Sequence, residues 1–282
     1  MKLVRFGSAG AEKPGLADQT GTIRDLSAVV DDIADGVLAP QGLARLAARD
    51  AQTLPAIEGD LRFGPPVGRT RQFVAIGLNY SDHAAGTGMP IPGEPIIFTK
   101  AVSCIEGADD EVRTPRLATK MDWEVELGIV IGTRARYGSE DQALDHVAGY
   151  QVCDDLPARA FQMEPGTTSD RGKGCETFGP AAPWLVTKDE VGDVQELDMW
   201  LDGNGKRMQT GNTRTMIFDC AKPVSSISEF MVLLRGDIIT TGTPPGVGMG
   251  VNPQVSLTEG DVIERGTAGL GQQRHRVTAG NA

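Results

Sequence analysis

The 282-residue sequence lacks several things that would have fixed its class at once. It has no basic excess: Lys+Arg is 27 against 38 Asp+Glu, a formal charge of -11. Nucleic acid and anionic membrane surfaces both reward clustered positive charge, so neither is an expected partner. No apolar run approaches the ~20 residues of a membrane span. The first residues, "MKLVRFGSAG", lack the apolar core of a signal peptide, and a cytoplasmic location is expected. Cysteine is sparse. Cys104, Cys153, Cys175 and Cys220 form no CxxC pair, which argues for reduced thiols and against a zinc site. There is no tandem repeat or low-complexity tract. "GTPPGVGMG" (242–250) is glycine-rich but lacks the Lys-Ser/Thr ending of a phosphate loop.

What is present is turn chemistry and short strands. With 36 Gly and 17 Pro, the chain reads as β-rich α+β rather than a helical bundle. Residues 1–66 read as a small N-terminal α+β domain, with "KLVRFG" as an edge strand, "GTIRDLS" as its hairpin partner and a helical spacing over 31–49 broken at Pro40. "RFGPPVGR" (62–69) has the composition of a linker, and 67–282 forms the larger domain. Strands are expected at 72–78, 95–100, 124–132, 147–155, 196–207 and 236–243, with a hairpin turn at "DGNG" (202–205). Short helices are expected at 139–145, 158–162 and 226–234.

The segment "MDWEVELGIVIG" (121–132) carries two glutamates one residue apart in an apolar run. Side chains at i and i+2 of a strand share a face, so Glu124 and Glu126 point the same way, with Cα atoms roughly 7 Å apart. Two readings stay open from periodicity alone. One is a solvent-exposed strand face. The other is a shielded pair whose repulsion a divalent cation compensates. Asp154 and Asp155, ending the run "GYQVCDD", offer a third carboxylate, and three carboxylates completed by water suit Mg²⁺ or Mn²⁺.

Five motifs resemble the fumarylacetoacetate hydrolase superfamily: "GLNYSDHA" (77–84), "DWEVELGIVIG" (122–132), "GYQVCDDLPARAFQ" (149–162), "KGCETFGPAAPWLVT" (173–187) and "GDIITTGTPPGVG" (236–248). The resemblance spans essentially the whole chain. It implies a mixed β-roll catalytic domain, a homodimer and a Mg²⁺ or Mn²⁺ site at Glu124, Glu126 and Asp155, with Asp154 standing where the family usually has Asn. It also implies His83 and Lys173 as catalytic groups and Tyr80, Arg159, Gln162 and Thr243 as substrate contacts. Relatives usually carry HxxE, and here Gly86 replaces the Glu; Glu106 is the expected substitute partner of His83, with Asp82 and Glu94 as alternatives. The loop 79–94 is a candidate lid over the site.

The implied reaction is hydrolysis of a carbon–carbon bond in a 2,4-diketo acid. The closest resemblance is to hydrolases of 2,4-diketo-3-deoxy sugar acids such as the L-rhamnonate or L-fuconate derivative, giving pyruvate and a hydroxy acid. Oxaloacetate decarboxylation, tautomerisation or ureidoglycolate cleavage on the same metal site is the second expectation, and a non-catalytic metal-stabilised dimer the third. His146 and His275 read as structural or surface groups, Trp184 as a core residue and Cys175 as a small buried residue rather than a nucleophile.

Overall fold

The structure is a computed structural model and describes residues 1–164 and 168–280. Its strands, numbered along the chain, are β1 (Lys2–Phe6), β2 (Lys13–Ala17), β3 (Ile23–Asp25), β4 (Phe63–Gly64), β5 (Phe73–Gly77), β6 (Ile96–Lys100), β7 (Ile105–Glu106), β8 (Val112–Thr114), β9 (Val125–Ile131), β10 (Val147–Asp154), β11 (Gly179–Thr187), β12 (Asp198–Gly203), β13 (Lys206–Asn212), β14 (Ile238–Thr240), β15 (Val262–Thr267) and β16 (Gly271–Ala279). The α-helices are α1 (Pro40–Ala47), α2 (Ser81–Thr87), α3 (Arg159–Met163), α4 (Asp170–Lys173) and α5 (Ala221–Ser228).

One mixed sheet runs β3-β2-β1-β11-β10-β9-β14-β5-β6, with β4 beside β1 and β7 beside β11. A smaller sheet runs β13-β12-β15-β16-β8 and packs on it. Gln273 on β16 ties the two together, its amide donating to the carbonyls of Val152 and Ala182 at 2.8 Å each. β9 and β10 lie in the middle of the larger sheet and are buried at every residue. Each of Leu127, Ile129, Val130 and Ile131 is fully buried, worth about 1.5–3 kcal/mol apiece. That apolar burial can offset the cost of seating carboxylates at the end of the same strands.

Several local expectations are corrected. β1 is an interior strand, paired with β2, β4 and β11, and its hairpin partner is Lys13–Ala17 rather than "GTIRDLS". Pro40 starts α1 at its first position instead of breaking it; its missing N–H costs nothing where no helical partner exists. The helix expected at 226–234 lies at Ala221–Ser228, with Pro223 tolerated in its first turn. Residues 271–279, where the sequence reading places no strand, form β16: Gln273, His275 and Val277 point inward while Gln272, Arg274 and Arg276 point out. The alternation was hidden because two of its inward residues are polar. The hairpin at 202–205 is as expected, with Asn204 (φ 51°) and Gly205 (φ 75°) both left-handed. The chain near residue 66 passes from β4 to β5, and the N-terminal strands join the common sheet through the β1–β11 pairing.

Candidate metal centre and active site

The β9–β10 register builds the acidic cluster. Cys153 pairs with Glu126 and Asp154 with Val125. One residue beyond, the amide of Asp155 donates to the carbonyl of Glu124 at 3.0 Å. Glu124, Glu126 and Asp155 thereby bring one carboxylate oxygen each to within 4.8 Å of one another. All three are buried, Glu124 at 8% exposure and the others at 1%, so the solvent-exposed reading of the E-x-E pair is excluded.

Basic side chains from three other elements converge on the cluster. The Lys173 ammonium on α4 lies 2.6 Å from Glu124 Oε2 and 2.7 Å from Asp155 Oδ2. Lys100, the last residue of β6, lies 2.6 Å from Asp155 Oδ1 and donates to the carbonyls of Lys173 and Phe178. Arg159 on α3 bridges Glu124 Oε1 at 2.6 Å and Asp122 Oδ2 at 2.8 Å. Behind the cluster, Asp154 accepts from the amide of Glu124 at 2.8 Å and pairs with Arg265 of β15 at 2.9 Å, both fully buried. Asp154 is thus occupied in holding the backbone of Glu124 and pairing with Arg265.

The charges do not quite cancel. Asp122, Glu124, Glu126, Asp154 and Asp155 are buried carboxylates; Lys100, Lys173, Arg159 and Arg265 are the buried cations that face them. Among the described residues, Glu126 has no basic group at ion-pair distance. It accepts only from the amide of Gly242, at 2.9 Å. Gly242 has φ +89°, and a Cβ there would stand 2.8 Å from the Asn79 side chain, so only glycine lets this amide approach. Burial, with Asp155 and Glu124 alongside, raises the Glu126 carboxyl well above its usual range. Burial opposes ionisation of Glu124 as well, but Lys173 and Arg159 outweigh it and hold that group down to about 2. A buried all-oxygen trio with one uncompensated carboxylate suits a hard divalent cation, so these residues fit a Mg²⁺ or Mn²⁺ ion.

His83 sits on α2, half-buried, with Glu124, Arg159, Asp82 and Asp122 as the charges around it. Burial lowers its pKa against the pull of Glu124, so the imidazole is neutral at pH 7. Gln162 accepts from Arg159 at 3.2 Å. The hydroxyl of Thr243 accepts from Gln209 at 2.8 Å and donates to the carbonyl of Val125 at 2.9 Å, buttressing β9. His83, Lys173, Arg159 and Gln162 are therefore brought to the acidic trio.

Two expected residues are placed differently. Tyr80 has no exposed surface, and its hydroxyl donates to Met199 Sδ at 3.2 Å with Glu126 near enough to act on it, so it backs the trio from the core. Glu106 is on β7, where Asp110, Arg113 and Arg62 are the charges that act on it; the set around His83 shares none of these. Trp184 is partly buried, packed against the core with Lys2 over its ring. Lys100 and Asp122 were missed. Lys100 read only as the end of a strand, and Asp122 as the start of another. Asp122 in fact accepts from the amides of Trp123, Gly248 and Met249 as well as from Arg159, locking the 246–249 turn against the site.

The chain belongs to the fumarylacetoacetate hydrolase family: residues 72–278 match the family profile described as "Fumarylacetoacetate (FAA) hydrolase C-terminal". A provisionally named hydrolase of Burkholderia orbicola (strain MC0-3) is 53% identical over 278 residues, covering 98% of this chain and 99% of its own. Among solved structures, fumarylacetoacetate hydrolase from Exiguobacterium antarcticum is similar at a TM-score of 0.88 and 33% identity, covering 99% of this chain and 100% of its own. Maleylpyruvate hydrolase from Sphingobium sp. SYK-6, in complex with manganese(II) and pyruvate, is similar at 0.83 and 28% identity, with both chains fully covered. The mixed β-roll expected from the motifs is the fold found.

Proposed function

We propose that the protein is a Mg²⁺- or Mn²⁺-dependent hydrolase that cleaves 2,4-diketo acids of the acylpyruvate type to pyruvate and a carboxylic acid. The particular substrate proposed is a 2,4-diketo-3-deoxy sugar acid such as L-2,4-diketo-3-deoxyrhamnonate. The observation that carries this reading is the buried trio Glu124, Glu126 and Asp155, in a cluster whose five buried carboxylates exceed its four buried cations by one. With a divalent ion the cluster becomes singly positive, and one substrate carboxylate restores neutrality. The manganese(II) and pyruvate of the Sphingobium structure lend support.

The reaction balances without a co-reactant other than water. Water adds its oxygen to C4, the C3–C4 bond breaks, and its electron pair moves into the enolate of pyruvate. C3 then takes a proton, and the C4 fragment leaves as the acid. Glu124, Glu126 and Asp155 would hold a divalent ion, which would supply Lewis-acid charge for the oxygen that becomes negative as the bond breaks. The Lys173 ammonium, 2.6–2.7 Å from Glu124 and Asp155, adds charge on the same side. Neutral His83 accepts the proton from water. Arg159 and Gln162 orient the substrate from α3. The reading includes a homodimer in the cytoplasm, where the free cysteines stay reduced.

The test is to incubate the protein with acylpyruvates, diketo sugar acids and oxaloacetate, with Mg²⁺ or with EDTA, following enol absorbance and pyruvate. Chelator-sensitive formation of pyruvate plus an acid is the expected result. Carbon dioxide release without diketo cleavage, or silence across the panel, overturns the reading.

A further inference from the structure

A cavity of about 260 Å³ is lined by Arg159 and Asp122, and Arg159 links it to the acidic trio through its ion pair with Glu124 at 2.6 Å. Its remaining walls include Met163, Met249 and Val255, with Lys120 and Glu164 at the mouth. Lys120 Nζ and Glu164 Oε1 are 2.5 Å apart and each side chain is more than half exposed. Arg159 is already committed to Asp122 and Glu124. The charges lining the cavity are therefore compensated in pairs, and among the described residues no cation in its wall lacks a carboxylate partner.

We infer that this cavity receives the acyl tail of the substrate and selects for an uncharged, hydroxyl-bearing tail against one ending in a second carboxylate. The inference rests on the proposed acylpyruvate reaction and names its substrate class. A tail carboxylate entering here loses water, meets Glu164, and can pair with Lys120 only by displacing it. Hydroxyls fit the existing pair, donating to Glu164 and accepting from Lys120, while Met163, Met249 and Val255 cover the carbon chain. The charge count of the whole cluster points the same way: five carboxylates, four cations and a divalent ion sum to one positive charge, which one substrate carboxylate completes. Lys120 and Glu164 are partly exposed, so screening limits the discrimination to roughly tenfold rather than thousandfold.

The experiment compares kcat/KM for two chain-matched acylpyruvates, one with a hydroxyalkyl acyl tail and one with a tail ending in carboxylate. The wild-type protein, loaded with Mg²⁺, should favour the hydroxylated compound by about tenfold. Glu164→Gln should shift the ratio toward the carboxylate by about five- to tenfold, and Lys120→Gln should shift it the other way. A wild-type preference for the dicarboxylate, or ratios unchanged within twofold in both variants, overturns the inference while leaving the proposed reaction standing. Failure to cleave either compound overturns the proposed reaction, and the inference with it.

Discussion

Two groups of three carboxylates occupy the same chain and behave differently. The first is Glu124, Glu126 and Asp155 at the ends of central strands, met by Lys100, Lys173 and Arg159. The second is Glu12, Glu106 and Asp110, gathered near the β7 turn around Arg62. That guanidinium grips Asp110 at 2.6 Å through two nitrogens and Glu12 at 2.9 Å. In both groups one acid is left over and its pKa rises: Glu126 in the first, Glu106 in the second, the latter pushed to about 7 by burial and by Asp110. Yet among the described residues only the first group converges its oxygens within 4.8 Å of one another; the imidazole beside the second group, His275, is fully buried and engaged with the Asp110 carbonyl. Counting acids does not find a site; convergence from a fixed strand register does.

The comparison breaks most visibly in turnover. Glu124→Gln should lower pyruvate formation by about a thousandfold or more, since it removes a ligand oxygen and strands Lys173 and Arg159. Glu106→Gln should leave the rate within about twofold. Steady-state assays on the pair settle it; an equal loss in both would restore Glu106 to the site. His83→Gln should cost about 10²–10³ in kcat with little change in KM, read from the same assays.

Stability is the next contrast. Lys100→Met leaves Asp155 buried without one of its cations and should cost about 3–5 kcal/mol. Arg62 is a quarter exposed, so Arg62→Met should cost only about 1–2 kcal/mol. Urea unfolding of both variants at one pH tests the order, and a larger loss for Arg62→Met would reverse the account of which group is buried more deeply.

The smallest effects are in pH. Glu106 binds its proton more tightly folded than unfolded, so its contribution is fully present below about pH 4.5 and is lost as pH rises through about 7. Half-burial and coupling to Asp110 discount this to about 1 kcal/mol. His275 has the opposite sign. Burial and nearby Arg265 bring it down to about 3, and its Nδ1 lies 2.6 Å from the Asp110 carbonyl. It is neutral in both states above about pH 6.5, and stability falls by about 1.4 kcal/mol per unit as pH drops below that. Unfolding free energies from pH 5 to 8 should show Glu106→Gln flattening the alkaline side and His275→Gln the acid side. Unchanged slopes in both would mean these groups are solvated.

The legible part of the site was what period-two alternation exposes. Strand alternation put Glu124 and Glu126 on one face and the pair Asp154–Asp155 at the end of the next apolar run; that Asp155 rather than Asp154 joins them around a cation came from the family resemblance. Lys100 was illegible for the same reason: a lysine closing a strand is a common solubilising end, and only the β6–β5–β14–β9 order brings it to Asp155. Glu106 was misplaced because the sequence offers no measure of which acid a folded loop turns toward His83. Tyr80's burial was illegible because a motif neighbour in sequence need not share its neighbour's exposure; at α2's entry it is fully buried against Met199, while His83, three residues on, is half-buried among the charges of Glu124, Arg159, Asp82 and Asp122. β16 was missed because inward Gln273 and His275 disguise its alternation, although they are bonded to backbone carbonyls as buried polar groups must be.

The most direct test is anomalous diffraction from a crystal soaked in Mn²⁺ and pyruvate. The account predicts one strong manganese peak bounded by Glu124, Glu126 and Asp155, lost in Glu126→Gln. A peak beside Glu106 and Asp110 instead, or an empty acidic trio at saturating Mn²⁺, would contradict it.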